Sequence, residues 1–202
     1  MIPIPSKRLA SALNLKQREL LALVGGGGKS TLLFQLARSL NRRTIVTTTT
    51  KMGERQTGML DVIEAPFTRP LELWNGMSPV FVRAGVKDGK STGVRPSVCD
   101  TWFSDHSLCD VVLVEADGAR HRPFKAPANF EPVLPDETTT VLAVIGADAL
   151  GRVIADQCHR PLRVAAVAGC NPYERLTPAR AATVLTSPYG SFKGCPTPAR
   201  KV

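Results

Sequence analysis

Apolar runs of strand length alternate along the chain with apolar residues at helical spacing. The strand-like runs are ELLALV, RTIVTTTT, PVFVRAGV, DVVLVEADG and TTVLAVIGAD, and the helical patterns cover residues 6–14, 29–40 and 97–108. Nearly continuous apolar strands are typical of a parallel sheet that helices cover on both faces. The pattern therefore predicts a three-layer α/β fold with a mainly parallel sheet. Residues 54–78 give no clear element.

Composition indicates one domain that spans residues 1–202. Hydrophobic residues make up 43% of the chain but aromatic residues only 5%, so the core must consist mainly of Leu, Val, Ile and Ala. The N-terminus has neither the pattern of a signal peptide nor that of a membrane span, which predicts a cytoplasmic protein with no membrane partner. Five scattered cysteines without a C-x-x-C pair predict reduced thiols rather than disulfides or a zinc site.

The formal net charge of +9 raises the question of a nucleic-acid partner. From Gly151 to Val202, eight lysines and arginines stand against two acidic residues, but they are spread singly and have no interleaved aromatic residues. A solvated surface explains this distribution better than nucleic-acid binding does. Nucleic acid is therefore not predicted as a partner.

A glycine-rich stretch, VGGGGKST, connects the first predicted strand to the helix that follows. Consecutive glycines let backbone N–H groups converge on an anion, and a helix N-terminus adds attraction for phosphate. Lys29 would reach the β- and γ-phosphates, and the Ser30 hydroxyl would bind Mg²⁺. We therefore predict a phosphate-binding loop for the nucleoside triphosphate ATP or GTP. Its predicted contacts are Gly25, Gly26, Gly27, Gly28, Lys29, Ser30 and Thr31.

The loop departs from the G-x-x-x-x-G-K-[ST] pattern, because the first glycine of that pattern would fall at Leu23. A glycine-rich turn followed by an unrelated Lys-Ser pair is therefore an open alternative. A dinucleotide-binding fold is not favoured, since the second predicted strand ends in TIVTTTTKM without the acidic residue that holds the ribose.

Acidic residues close the predicted strand in DVVLVEADG. Strand periodicity places Glu115 and Asp117 on one side, where both can face the glycine loop. Glu115 would bind Mg²⁺ together with Ser30, and the predicted catalytic residues are Lys29, Glu115 and Asp117. Charged residues also end strands for structural reasons alone. The acidic pair therefore indicates a metal site only in combination with the glycine loop.

Two polar segments add candidate contacts to the nucleotide or to a substrate. The threonine run TTTTK ends a strand at the edge where open parallel sheets bind ligands, although threonine is also a good strand former. The basic loop ARHRPFKAPANFEPVLPD can neutralise a second anionic group or can simply be solvated. The candidates from these segments and from the end of DVVLVEADG are Thr48, Thr49, Lys51, Gly118, Arg120, Arg122 and Lys125.

Taken together, these motifs closely resemble those of the selenium-dependent hydroxylase accessory protein family, the YqeC-type P-loop proteins. The resemblance rests on LVGGGGKSTLLFQLA, VTTTTKM and VLVEADGARHRPFKAPANFEPVLP, and it extends to the segment PYERLTPARAATVLTSPYGSFKGCPTPARK. It maps the family's motif residues onto Gly25 to Ser30, Thr47 to Lys51, Glu115, Asp117, Gly118, Lys125, Pro127 and Glu131. A P-loop nucleoside-triphosphatase fold is the expectation that this resemblance implies.

The resemblance also implies a role in maturing selenium-dependent molybdenum hydroxylases or their molybdenum cofactor, with such a hydroxylase as partner. Relatives of this type continue past the position of Val202 into another apolar strand and an Asn-Lys-x-Asp-like segment, which implies a C-terminally truncated chain without the guanine-selecting carboxylate. Two alternatives stay open. One is a small-molecule kinase or ligase whose basic loop binds an anionic acceptor. The other is a non-catalytic module that delivers a cofactor or a selenium species under nucleotide control.

Overall fold

A seven-stranded sheet forms the centre of the computed structural model, which describes residues 6–64 and 74–202. In spatial order its strands are β12 (Arg200–Lys201), β10 (Thr140–Val144), β1 (Glu19–Gly25), β8 (Val111–Glu115), β2 (Thr44–Thr48), β5 (Val80–Arg83) and β4 (Asp61–Glu64). All neighbouring pairs in this sheet are parallel. The predicted α/β class and parallel sheet are therefore confirmed. Residues 65–73, which belong to the stretch without a clear element, lie outside the described ranges.

Helices and small strands complete the described chain. The helices are α1 (Ser6–Ala12), α2 (Lys29–Ser39), α3 (Pro96–Ser104), α4 (Ile154–Gln157), α5 (Pro161–Ala168) and α6 (Pro178–Thr186), with a 3-10 turn at Ala147–Ala149. The small strands are β3 (Met52–Gly53), β6 (Gly85–Lys87) and β7 (Lys90–Thr92), which pair antiparallel, and β9 (Phe124–Lys125) and β11 (Cys158–His159), which pair in parallel. Within the described ranges, none of the helices is long and apolar enough to span a membrane.

Side chains point alternately to the two faces of the sheet along each strand, which divides the apolar core into two clusters. Leu21 and Leu23 of β1 belong to an apolar cluster that includes Leu33 of α2, whereas Leu20 belongs to a cluster on the other face that includes Trp102 of α3. Successive strand residues point to opposite faces, so a strand that is buried on both sides needs apolar residues at every position. This explains why ELLALV is nearly continuous in apolar residues, and it confirms the three predicted layers.

A third apolar cluster packs α4, α5 and α6 beside the main sheet. It contains Phe124 of β9, Ile154 of α4, Val164 of α5 and Val184 of α6, all of which are buried. The β9–β11 pair joins this cluster to the segment that follows β8. The cluster thereby brings residues near position 160 to the edge of the sheet where β1 and β8 end.

The predicted strand PVFVRAGV is divided in the structure. β5 ends at Arg83, and β6 begins at Gly85, whose φ of +151° turns the chain away from the main sheet. Glycine is the residue that adopts such a φ without steric cost, so the division follows from the AG dipeptide within an otherwise strand-like run.

Candidate functional site

An open cleft of about 760 Å³ lies at the edge of the sheet where β1, β8 and β2 end. Ligands bind at this edge of open parallel sheets, because the loops after the strands can be varied without disturbing the core. The cleft is lined by Gly27, Gly28, Lys29, Ser30, Thr31, Thr50, Lys51, Met52, Gly53, Gln56, Lys90, Glu115, Gly118, Ala119, Arg120, His121, Arg122, Phe130, Glu131, Val133, His159 and Arg160.

The glycine loop, residues 25–30, joins the end of β1 to the first turn of α2. Gly28 is the N-cap residue of α2 and has a φ of +94°, and it offers no side chain to the helix N-terminus. The first N–H groups of a helix lack partners within the helix. Residues 28–31 line the cleft, so the N-terminus of α2, which is the positive end of the helix dipole, faces the space where a ligand would lie.

The first half of the glycine loop is fixed against neighbouring strands. The Gly25 N–H donates to Asp117 Oδ2 (3.0 Å), and the Gly26 N–H donates to the Val144 carbonyl (2.9 Å). A Cβ atom at Gly25 would lie 2.3 Å from the Val144 oxygen, and one at Gly26 would lie 2.7 Å from the Arg122 oxygen. Gly25 and Gly26 are therefore required for close packing and are buried behind the cleft, whereas Gly27 and Gly28 line it.

The Lys29 side chain lies beneath the glycine loop. Its Nζ donates to the Gly25 carbonyl at 2.6 Å and lies 3.2 Å from Asp117 Oδ1, and the residue is only 5% exposed. A buried ammonium group needs both a counter-charge and hydrogen-bond acceptors. Asp117 supplies the charge, so it holds the lysine and the first loop amide in place together.

Ser30 and Glu115 form the second polar contact of the loop. The Ser30 hydroxyl donates to Glu115 Oε2 at 2.6 Å, and both residues line the cleft. Burial raises the pKa of the Glu115 carboxyl, and the nearby Lys29 charge opposes that rise. The predicted pair of acidic residues therefore does contact the glycine loop, Glu115 through Ser30 and Asp117 through Gly25.

These oxygen atoms fit a hard divalent cation. Hydroxyl and carboxylate oxygens are the protein ligands that Mg²⁺ uses, and Mg²⁺ in nucleotide sites takes its remaining ligands from phosphates and water. No cluster of three or more His, Cys, Asp or Glu side chains suited to a metal ion occurs in the described residues. Ser30 and Glu115 could hold Mg²⁺ only together with such external ligands.

The threonine run divides into buried and cleft-lining residues. The Thr48 hydroxyl is buried and donates to the Glu115 carbonyl (2.9 Å), and the Thr49 hydroxyl donates to the Val133 carbonyl (2.6 Å). Lys51 is exposed and lines the cleft, as does Thr50, which lies in the mapped motif Thr47 to Lys51 but was not a candidate contact. Thr48 and Thr49 thus fix the ends of β2 and β8 relative to each other and to the segment between β9 and β10.

A buried chain of ion pairs runs from the glycine loop to α5. Lys125 is 1% exposed, and its Nζ lies 3.2 Å from Asp117 Oδ2 and 2.7 Å from Glu131 Oε2. Glu131 Oε1 in turn accepts a hydrogen bond from Arg160 Nη2 at 2.9 Å. Burial raises the pKa of Glu131, but the Lys125 hydrogen bond and charge, the Ala128 N–H and the Arg160 charge together hold that pKa below its usual value. Lys125 lies behind the cleft, where it also donates to the Gly118 carbonyl (2.7 Å).

Arginines and histidines form the side of the cleft that faces the third apolar cluster. We call this side the arginine wall: Arg120, His121, Arg122, His159 and Arg160. Burial and the charges of Arg160 and Lys125 lower the pKa of His159 to about 4, so its imidazole is neutral at pH 7. His159 and Arg160 were not predicted, because they lie far along the chain in no recognisable motif and reach the cleft only through the pairing of β11 with β9.

Fold and site together define a class: a three-layer α/β protein with a glycine loop at the junction of its central strand with a helix, facing a basic cleft. The chain belongs to the YqeC family, since residues 21–162 match the family described as YqeC protein. It is 34% identical over 194 residues to the "Uncharacterized protein YqeC" of Escherichia coli (strain K12), covering 93% of this chain and 75% of that protein. No solved structure is significantly similar to it. The family resemblance found in the motifs is thereby confirmed.

Proposed function

We propose that this protein binds a nucleoside triphosphate, ATP or GTP, with Mg²⁺ at the glycine loop. The observation that carries the proposal is the convergence of three features on one cleft: the N-terminus of α2, the Lys29 ammonium and the Ser30–Glu115 pair. A helix N-terminus behind a glycine loop attracts phosphate, and a lysine next to it adds a charge that can follow the phosphates.

Each loop residue has a distinct role in this proposal. The N–H groups of residues 28–31 would donate to phosphate oxygens, while Gly25 and Gly26 hold the loop in shape from behind. Lys29 would exchange its contact with the Gly25 carbonyl for the β- and γ-phosphates. Ser30 and Glu115 would hold Mg²⁺, which supplies neutralisation of phosphate charge when bound.

The two carboxylates differ in their access to a ligand. Glu115 lines the cleft, so it is the residue that can orient a water molecule or an acceptor hydroxyl beside the phosphates. Asp117 is 2% exposed and contacts Lys29 and the Gly25 N–H, which makes it a positioning residue for the loop. Hydrolysis or phosphoryl or nucleotidyl transfer is the chemistry that we propose for this arrangement.

The biological role that we propose comes from the family resemblance. A triphosphate-dependent step would assist the maturation of selenium-dependent molybdenum hydroxylases or of their molybdenum cofactor. A module that only delivers a cofactor would bind its hydroxylase partner in a nucleotide-dependent way with negligible turnover, so measured phosphate release distinguishes the enzyme from the delivery module.

The second enzymatic candidate is a kinase or ligase with an anionic acceptor, and the arginine wall favours it.

Calorimetric titration with ATP, GTP and CTP in the presence of Mg²⁺ tests the proposal. We expect at least one triphosphate to bind, and Lys29→Ala to weaken that binding by about tenfold or more, because an ammonium–phosphate contact contributes about 1.5–3 kcal/mol. Lys201→Ala is the matched control, since Lys201 is exposed on the edge strand β12 and outside the cleft lining. Absence of triphosphate binding, or undiminished binding by Lys29→Ala, contradicts the proposal.

A further inference from the structure

The cleft carries more positive charge than the glycine loop requires. Its lining contains six lysine and arginine side chains, Lys29, Lys51, Lys90, Arg120, Arg122 and Arg160, against two carboxylates, Glu115 and Glu131. Only Lys29 belongs to the glycine loop, where the helix N-terminus and this lysine already form a phosphate site. The three arginines belong to the arginine wall and lie outside the glycine loop.

The backbone of the arginine wall adopts an uncommon conformation at three positions. Arg120, His121 and Arg160 have φ values of +48°, +60° and +57°. Non-glycine residues in this left-handed region carry a conformational cost and tend to cluster at ligand sites. Half of the six non-glycine residues with positive φ in the described ranges thus lie on one side of one cleft.

Two of the wall arginines are held in position before any ligand arrives. Arg160 donates to the buried Glu131 carboxylate, and its guanidinium lies 5.7 Å from the centre of the Phe130 ring. The Arg122 guanidinium donates to the Asp156 carbonyl. Side chains fixed in this way lose little conformational entropy when they bind an anion. Arg120 is exposed at the same wall and completes the set.

His159 of the wall and the cleft-lining Phe130 beside it add polar and apolar contacts for a bound anion. His159 is neutral, so it offers one ring nitrogen as a donor and one as an acceptor. Phe130 is 74% exposed at the cleft, which leaves an apolar ring available to the body of a bound molecule. Arginine forks match carboxylate and phosphate groups better than they match other ligands.

The arginine wall and the glycine loop are in direct contact. The Gly27 N–H of the loop donates to the Arg122 carbonyl of the wall at 3.2 Å. An anion on the wall would therefore lie beside the phosphates of a triphosphate on the loop. That neighbourhood is what a transfer reaction between two bound substrates needs.

We propose that the arginine wall binds a second anionic substrate, a phosphorylated or carboxylated small molecule, next to the triphosphate. This inference rests on the proposed function, because it assigns the glycine loop to the nucleotide. It makes the cleft a site for two substrates rather than for a triphosphate and water alone.

The test is a titration of protein that is already saturated with Mg²⁺ and the imidodiphosphate analogue of ATP or GTP. Inorganic phosphate and citrate are added in separate experiments at constant ionic strength, so that screening does not change between them. We expect one of these anions to bind the saturated protein. Arg120→Ala and Arg160→Ala should each weaken that binding by about tenfold or more while leaving the affinity for the analogue nearly unchanged. Binding of phosphate alone indicates a phosphorylated substrate, and binding of citrate alone indicates a carboxylated one.

Matched variants distinguish a loss of anion binding from a loss of folding. Arg180→Ala removes an arginine of α6 that pairs with Glu174 and lies outside the cleft lining, so it should leave anion binding unchanged. Arg160→Lys keeps the charge but loses the planar fork and should restore part of the affinity. Arg120 lies outside the buried ion chain, so Arg120→Ala is informative even if Arg160→Ala fails to fold.

Three results would overturn the inference. They are absence of anion binding to the saturated protein, anion binding that is unchanged in Arg120→Ala, and loss of analogue affinity as large as the loss of anion affinity. The last result would assign the wall to the triphosphate itself. If no triphosphate binds, the proposed function fails separately, and the same anions are titrated into the unsaturated protein. Binding that depends on Arg120 but not on Lys29 then still supports a site on the wall.

Discussion

Neighbouring glycines in the loop have different physical reasons for being glycine. Gly25 combines a φ of +98° with a contact in which a Cβ would lie 2.3 Å from the Val144 oxygen. Gly28 has a similar φ of +94°, but a Cβ there would meet nothing within 4 Å. The first position is constrained by both conformation and packing, the second by conformation alone. The two residues therefore form a matched pair for measuring what close packing adds.

Alanine at these two positions should destabilise the protein to different extents. Gly28→Ala should lower the free energy of unfolding by about 1–2 kcal/mol, the cost of a left-handed non-glycine residue. Gly25→Ala should lower it by about 3 kcal/mol or more, since overpacking against fixed backbone adds to that cost. Urea denaturation of both variants provides the measurement. Equal losses would show that the contact with β10 is relaxed without cost.

Glu115 is held in an environment that favours its neutral form. Because burial raises its pKa, the folded state binds more protons than the unfolded state between the ordinary and the raised value. Its contribution to stability is therefore greatest at low pH and is lost as pH rises through the folded pKa. A carboxyl group whose pKa is raised by burial next to a cleft is expected at a functional site.

Replacing Glu115 with glutamine should separate stability from function. Glu115→Gln should stabilise the fold at pH values above the raised pKa of Glu115, because an amide avoids the desolvation cost of a buried carboxylate and its oxygen can still accept the Ser30 hydrogen bond. Mg²⁺-dependent triphosphate affinity should fall by about tenfold or more, as expected when a charged contact worth about 1.5–3 kcal/mol is lost. Urea denaturation and calorimetry are run on the same preparation. A destabilised variant with unchanged Mg²⁺ dependence would assign Glu115 a purely structural role.

At the scale of secondary-structure elements, the long strands and helices were predictable from the sequence. The two-residue strands that help to form the cleft were not. The strands β1, β8 and β10 and the helix α2 have clear apolar patterns, so local periodicity and glycine chemistry were sufficient to predict them and to bring Lys29 and Glu115 to one edge. Strands β9 and β11 have two residues each, too few for any period. Their pairing depends on packing of the third apolar cluster, a long-range effect that no local pattern encodes.

The ion chain is what connects these short elements to the glycine loop. Lys125 in β9 joins Asp117, which holds Lys29, to Glu131, which holds Arg160 at the start of α5. Removing one partner of a buried ion pair leaves a buried charge without compensation, which is more costly than the pair was favourable. Lys125 therefore has a larger structural role than its place in a basic, loop-like segment of the sequence indicated.

Lys125→Met tests this role at nearly constant side-chain length. We expect the free energy of unfolding to fall by about 3–5 kcal/mol, because Asp117 and Glu131 both lose a buried partner. Arg180→Met removes a surface ion pair with Glu174 and should change the stability little. Both variants are compared by urea denaturation. A loss no larger for Lys125→Met than for Arg180→Met would mean that water or rearranged side chains replace the buried lysine.

At the scale of the whole molecule, three apolar clusters meet around one polar edge. The clusters on the two sheet faces hold the glycine loop and the ends of β8 and β2, and the third cluster holds the arginine wall. The relative position of the loop and the wall therefore depends on the β9–β11 pair and on the ion chain, both of which carry titratable groups. The integrity of the cleft is thus linked to pH through residues that lie between the clusters.

His159 makes the stability of the molecule sensitive to acid. Burial and the charges of Arg160, Lys125 and Arg120 lower its pKa to about 4 from the ordinary 6.5, although Glu131 opposes them. The unfolded state therefore binds more protons than the folded state between these values, so the stabilising contribution is complete above pH 6.5 and is lost as pH falls to 4. We expect urea midpoints to decline across this range and the decline to be smaller in His159→Gln, whose side chain does not titrate. His106→Gln removes an exposed histidine and should retain the decline of the unmodified protein. Parallel curves for His159→Gln and the unmodified protein would show that other groups, such as Glu131 with its lowered pKa, account for the acid sensitivity.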